Sequence, residues 1–264
     1  MVSTATPSTD ILYFSFNQDN SRITKYDCPN NLGCVAIGTQ SGFKVYSTNP
    51  FKETFYRGNL TYDHEYSFKI ELGGGIGMVE MLYRCNIFAL VGGGTTPKYP
   101  SNKVMLWDDH QTKCIAELSF KTDIKGLRLK SDKILVVLET KLYVYNFSDL
   151  KLIDHIETTK NSKGVIFLKN KRINSLGLFS LNNDPQSTIL ACLGKDPGFV
   201  AIHAYGINKF DFHSWFSDTQ KTISFRAHQS PVGAMELDYS GKRLATSSEK
   251  VNILSNFRFL IDIN

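Results

Sequence analysis

The alternation of polar and apolar positions is clearest between Ser224 and Lys250, SFRAHQSPVGAMELDYSGKRLATSSEK. A polar lead-in around Arg226 and His228 runs into apolar Val232, Ala234, Met235 and Leu237. Tyr239, Ser240 and Gly241 carry turn chemistry, Leu244 to Thr246 form a second run, and Ser247 to Lys250 are polar again. This predicts two short strands around a Ser-Gly turn, with a histidine before the first and hydroxyls after the second. A unit of that size cannot bury its own apolar face, so related units are expected along the chain. They recur as GCVAIGTQSGFKVYST (33–48), NIFALVGGG with NKVMLWDDHQTKCIAELSF (86–94 and 102–120), DKILVVLETKLYVYNFSDLKLIDHIET (132–158) and STILACLGKDPGFVAIHAYG (187–206). Each joins a strand of small or β-branched residues to a second one ending in an aromatic or histidine, at Tyr46, Trp107, Tyr145 and His203. The expected fold is all-β, a β-propeller of the WD40 type whose five blades account for nearly the whole chain.

Those markers lie 61, 38 and 58 residues apart, so loops of unequal length are expected between blades. The first blade begins near Ile11, where ILYFSFN alternates as a half-buried strand does. Asp27, Pro29, Asn30, Asn31 and Gly33 predict a loop over 20–33, and the polar run 56–68, which includes His64, predicts another. Between Thr158 and Arg172 five lysines and arginines stand among small polar residues. That segment is either a solvated loop or part of a basic surface facing anionic lipid or an acidic partner. Phe210, Phe212, Trp215 and Phe216 either pack on the fourth blade or form an exposed aromatic loop.

Gly73, Gly74, Gly75 and Gly77, like Gly92 to Gly94, lack the spacing of a phosphate loop and have no helical pattern after them. They predict tight turns where blade strands come close. Asp108, Asp109 and His110 can be drawn as a metal or acid–base cluster, but their place at a strand end, with Gln111 and Thr112 at the tip, predicts a hairpin turn. Composition adds a net charge of +5 over 264 residues. That charge suits an anionic membrane surface and is too weak to argue for nucleic acid. MVSTATPSTD has no apolar core of signal length, and no stretch approaches the run of about 18 apolar residues that a membrane span needs, so neither secretion nor spanning is expected. The five cysteines are scattered without a Cys-x-x-Cys pair, which predicts buried reduced thiols in a cytosolic setting rather than zinc. The six histidines are scattered too, and no Gly-x-Ser-x-Gly or His-Glu-x-x-His motif occurs. Binding through loops on a rigid scaffold is therefore expected in place of catalysis.

Four longer strings, GIGMVEMLYRCNIFALVGGG (75–94), YPSNKVMLWDDH (99–110), VVLETKLYVYNFSDLKLIDHIET (136–158) and AHQSPVGAMELDYSGKRLATSSEK (227–250), occur in an order that resembles the PROPPINs. These are the seven-bladed phosphoinositide-binding propellers of autophagy. FNQDNSR (16–22) and NPFKETF (49–55) extend the resemblance over residues 10–250. It implies a disordered stretch at 1–10, a propeller over 11–250 with five of the family's seven blades, and a divergent tail at 251–264. It also implies a lipid head-group pocket formed by His228, Ser248 and Lys250, with Arg226 and Thr246 as neighbours, since cationic and hydroxyl donors suit inositol phosphate oxygens. His228 has a plainer alternative, a hydrogen bond within its own blade. The paired arginines that follow this blade in the family have no counterpart: after Lys250 the chain reads VNILSNFRFLIDIN. The expectation is a chain cut short before the family's main anion clamp, with open sheet edges that favour aggregation or a partner. No cofactor is implied. The implied function is binding of phosphatidylinositol 3-phosphate or 3,5-bisphosphate as a membrane-recruited scaffold in autophagosome formation; the alternative is a protein-interaction scaffold without effective lipid binding. Implied partners are phosphoinositide-containing membranes and autophagy scaffold proteins held by blades two and three, with no nucleic acid. The implied location is cytoplasmic, peripheral on phagophore, preautophagosomal, endosomal or vacuolar membranes.

Overall fold

The structure, a computed structural model, describes residues 11–17, 33–58, 73–161, 167–168, 171–172, 178–184, 187–205, 222–249 and 254–258. The chain divides into two compact units, 1–129 and 130–264. In the first unit β1 (Ile11–Phe16), β2 (Cys34–Thr39), β3 (Gly42–Thr48) and β4 (Phe51–Gly58) make one antiparallel sheet in chain order. β5 (Ile76–Met81), β6 (Ile87–Gly92), β7 (Lys103–Asp108) and β8 (Lys113–Ser119) make the next. In this second sheet burial falls from the first strand to the last: β5 is buried throughout, whereas β8 alternates exposed and half-buried residues. The β5 sequence IGMVEM is accordingly near-continuous in apolar character, as a strand covered on both faces must be.

The two sheets of this unit pack through an aromatic cluster of Phe43, Phe55 and Phe88, with ring centroids 5.1 to 6.2 Å apart. Polar groups are sealed in beside it. Ser15 Oγ donates to the Val79 carbonyl at 2.7 Å, and the Tyr13 hydroxyl donates to Glu80 Oε1 at 2.5 Å. The Arg128 guanidinium reaches the same oxygen at 2.6 Å. Burial raises the Glu80 carboxyl above the usual range against the pull of that arginine. The two glycine clusters meet each other: Gly93 N donates to the Gly75 carbonyl at 3.2 Å, and a Cβ on Gly77 would sit 2.9 Å from Gly93 Cα. They are points of close strand approach, as the pattern predicts. The Trp-Asp-Asp-His string is a hairpin turn. Asp108 Oδ1 accepts the His110 and Gln111 amides at 2.9 and 3.2 Å, while Asp109 takes both arms of the Arg57 guanidinium at 2.7 and 2.8 Å.

β9 (Gly126–Lys130) runs across the division between the units. With β10 (Lys133–Val137), β11 (Lys141–Asn146) and β12 (Leu152–Glu157) it forms a third sheet in the order β12-β11-β10-β9. A short ribbon follows, β13 (Phe167–Leu168) with β14 (Lys171–Arg172). The fourth sheet is β15 (Phe179–Leu181), β16 (Thr188–Leu193), β17 (Phe199–Tyr205) and β18 (Thr222–Arg226), and the fifth is β19 (Val232–Leu237), β20 (Arg243–Ser248) and β21 (Leu254–Arg258). Ile189, Val200 and Ile202 share one apolar core with Val232, Leu237 and Leu244. Leu135, Val137, Leu142 and Val144 share another with Leu190 and Cys192. The described residues are all-β, their sheets are the blades of a β-propeller, and the markers Tyr46, Trp107, Tyr145 and His203 all fall on the third strand of a sheet, opposite Val35, Phe88, Ile134 and Leu190.

Several expectations need correction. Tyr56, Arg57 and Gly58 continue β4 and are not loop; the rest of the expected loop at 59–68 lies outside the described residues, as do Phe210, Phe212, Trp215 and Phe216. The basic segment contains the β13–β14 ribbon. The domain limit at 250 falls inside the fifth sheet, because β21 pairs with β20 along its length. A third strand asks only for backbone donors and acceptors in reach, so an unfamiliar composition did not announce it. Of the four cysteines described, Cys192 alone is buried, and Cys85 is exposed. Burial pushes the Cys192 thiol up to about 12, which leaves it inert. Among the described residues no group of three or more His, Cys, Asp or Glu side chains is placed to hold a metal, and no helix is long and apolar enough to cross a membrane.

Candidate functional site

The site lies where β18 passes into β19. Ala227 N and His228 N both donate to the Gly198 carbonyl, at 2.9 and 3.1 Å, so the β16–β17 turn clamps the chain just after Arg226. Gly198 has φ +81°, and a Cβ there would come within 2.2 Å of the His228 carbonyl oxygen. Only glycine meets both conditions. His228 is then turned inward: it is 8% exposed, and its Nε2 lies 2.9 Å from Thr246 Oγ1 on β20, itself 1% exposed. The plainer role, a hydrogen bond within the blade, is therefore realised for His228 and Thr246. Arg226 is exposed, and its Nε donates to the His228 carbonyl at 3.3 Å. Ser248 ends β20, half-buried and opposite Val232. Lys250 lies outside the described residues.

His228 and Thr246 are thus bonded to each other, Ser248 ends β20 of the fifth sheet, and Arg226 ends β18 of the fourth, opposite Phe199. Arg258 is not part of the group. It pairs with Arg243, five positions from Ser248 along β20, or about 17 Å at ~3.3 Å per residue. A cavity of about 160 Å³ opens beside the clamp, between Leu178, Gly198, Pro231, Val232, Glu249 and Lys160. Lys160 pairs with Glu139 at 3.2 Å. Another buried histidine, His203, has Nδ1 3.0 Å from Thr222 Oγ1, and burial holds its pKa below the usual range despite Asp154 nearby. What this arrangement offers chemically is donors for an anion rather than a nucleophile with a base.

Sequence reasoning missed Gly198, whose carbonyl and missing Cβ set the His228 backbone. The Asp196-Pro197-Gly198 turn was visible, but not that it would meet the chain 30 residues later. It also missed Lys130, a buried lysine whose Nζ donates to Asn182 O and Oδ1, both at 3.1 Å.

Comparison with known proteins bears on this geometry. The chain is 34% identical over 223 residues to autophagy-related protein 18e of Arabidopsis thaliana, covering 84% of this chain and 50% of that protein. Hsv2 of Kluyveromyces lactis superposes with a TM-score of 0.63 at 18% identity, covering 95% of this chain and 60% of that one. This chain belongs to the PROPPIN family. A solved complex of KlAtg21 with the coiled-coil of AgAtg16 has the same fold, with a TM-score of 0.62 at 20% identity over 94% of this chain and 66% of that one. No family model matches. The chain spans about half the length of the curated relatives it matches, 50 to 56% of each of the first three.

Proposed function

We propose that this PROPPIN chain binds phosphoinositide head groups, phosphatidylinositol 3-phosphate or 3,5-bisphosphate, and acts as a scaffold recruited from the cytoplasm to the surface of phagophore, preautophagosomal, endosomal or vacuolar membranes during autophagosome formation. The observation that carries this reading is the exposed Arg226 guanidinium, anchored by one nitrogen on the carbonyl of His228, whose ring is bonded to Thr246 on the strand that ends in Ser248. A planar guanidinium with donors to spare suits a phosphate oxygen pair, and a hydroxyl adds a neutral donor. His228 and Thr246 serve by holding the turn, and Lys250, two residues past Ser248, supplies a second cation.

Flotation with phosphatidylcholine vesicles, with and without phosphatidylinositol 3-phosphate, tests the reading. The wild-type chain is expected to float with the phosphoinositide vesicles and to be released by salt. Arg226→Ala is expected to weaken binding by roughly tenfold or more, since a charge-assisted contact is worth about 1.5–3 kcal/mol. Equal flotation with both vesicle types would sink the proposal. A second reading, a scaffold that engages autophagy proteins through its second and third blades, is favoured by the KlAtg21–AgAtg16 complex. A coiled-coil partner that stays bound to His228→Ala while vesicle binding is lost would support it.

A further inference from the structure

The cavity beside the clamp has apolar walls and a charged lip. Leu193 and Val232, 6% and 3% exposed, form its walls with half-buried Leu178, and the exposed rings of Pro197 and Pro231 stand at its opening. Leu193 and Val232 also belong to the core that the fourth and fifth sheets share, so the cavity lies between those two sheets and not on the outer face of the last one. The backbone around it is already bonded. Asn161 Nδ2 donates to the Leu178 carbonyl at 3.2 Å and its Oδ1 accepts the Leu178 amide at 2.8 Å. The Thr159 amide donates to the Gly194 carbonyl at 2.7 Å, and the Glu249 amide to the Pro231 carbonyl at 2.9 Å. The two prolines bring no N–H, so the walls suit carbon better than water. Two charged residues line the lip, Lys160 and Glu249. Lys160 is paired with Glu139 at 3.2 Å, whereas the exposed Glu249 has no ion pair among the described residues.

We propose that this cavity is a docking site for a partner peptide that inserts one phenylalanine ring and sets a lysine or arginine beside it against Glu249. Volume selects the ring. Pockets for whole small molecules begin near ~300 Å³, whereas an apolar cavity of roughly 150 Å³ stays dry and takes a single benzene. At about 160 Å³ this one matches a phenyl group. Charge selects the neighbour. With Lys160 held by Glu139, the carboxylate of Glu249 attracts a cation and repels an anionic head group. A ring seated in an apolar cup, with polar groups around it, is the arrangement that carries most of the affinity in protein interfaces. The cavity is lined by neither Arg226 nor Ser248, and it lies outside the second sheet, so it is separate from both readings given above.

Blocked tetrapeptides test this with the wild-type chain, the probe being acetyl-Gly-Phe-Arg-Gly-amide and the readout the methyl NMR signals of Leu178, Leu193 and Val232. One ring and one charge should bind with a dissociation constant of roughly 1 mM. Saturable ring-current shifts of those methyls are expected. Alanine in place of the peptide's phenylalanine should abolish them, and glutamate in place of its arginine should weaken binding at least fivefold. Glu249→Lys should reverse that preference, with far-UV circular dichroism unchanged, and Glu249→Gln should bring the arginine and glutamate peptides within twofold of each other. No methyl shift at about 10 mM peptide, ten times the expected constant, overturns the proposal. So does an alanine peptide that binds as well as the phenylalanine one, or a preference for arginine that survives both Glu249 variants. Shifts caused by free benzene but not by the peptide mark the cavity as a packing void and overturn it as well.

Discussion

Lys130 makes stability rise with pH where most proteins level off. Its side chain is 3% exposed and spends its donors on Asn182 and the Ser187 carbonyl. Burial pushes the amine from its ordinary 10.5 down to about 8. Below pH 8 the group is charged in both folded and unfolded chains and its burial cost is constant. Between pH 8 and 10.5 the folded chain gives up the proton while the unfolded chain keeps it. The unfolded state then binds more protons, and stability climbs. The gap from 10.5 to about 8 is worth at most about 3 kcal/mol, at ~1.4 kcal/mol per pH unit, and about 2 kcal/mol of it should appear by pH 9.5. Tyr13 and Tyr205, whose phenols burial pushes far up, act in the opposite direction once free tyrosine ionises near pH 10, so measurement stops at 9.5. Urea midpoints of wild type and Lys130→Met, taken at half-unit steps from pH 7, should diverge: the wild-type curve climbs relative to the variant above pH 8, while both share the decline that the buried Cys192 thiol imposes once free thiols ionise near pH 8.5–9. Parallel curves would refute the assignment, whatever their absolute offset.

Two further substitutions probe the clamp at the candidate site. Gly198→Ala adds a Cβ 2.2 Å from the His228 carbonyl at a left-handed backbone, and is expected to cost at least about 2 kcal/mol in thermal or urea unfolding and to lower vesicle binding with it. Thr246→Val removes the partner of His228 Nε2 inside the fifth sheet; a loss of about 1–3 kcal/mol is expected, with Thr246→Ser close to wild type, and a Val variant as stable as wild type would show that the hydrogen bond carries nothing.

Among the residues proposed for the head group, His228, Thr246 and Ser248 share one hairpin, His228 before β19 and the other two at the end of β20, so a Ser-Gly turn in the sequence is enough to relate them, while Arg226 ends β18 of the preceding sheet. Their division of labour was not legible. His228 and Thr246 look as available as Arg226 in a string of letters, and it is the pull of the Gly198 carbonyl on the His228 amide that turns the ring inward. Likewise the place of Asp108 and Asp109 at a strand end predicts their turn, but not that Arg57, 52 residues away, closes on Asp109.

What the sequence determined by itself was whatever depends on near neighbours: the period-two strands, the turns between them, the third-strand markers and the propeller that such units must build. Those features follow from local sterics and from side chains alternating between two faces, and a few residues suffice to specify them. Only the tertiary structure decided which polar groups are enclosed. Glu80 meets Tyr13 across 67 positions, Lys130 meets Asn182 across 52, and one glycine cluster packs against the other. Whether a charge is shielded, paired or left facing water depends on chain brought in from far away, and no short window of sequence holds that information.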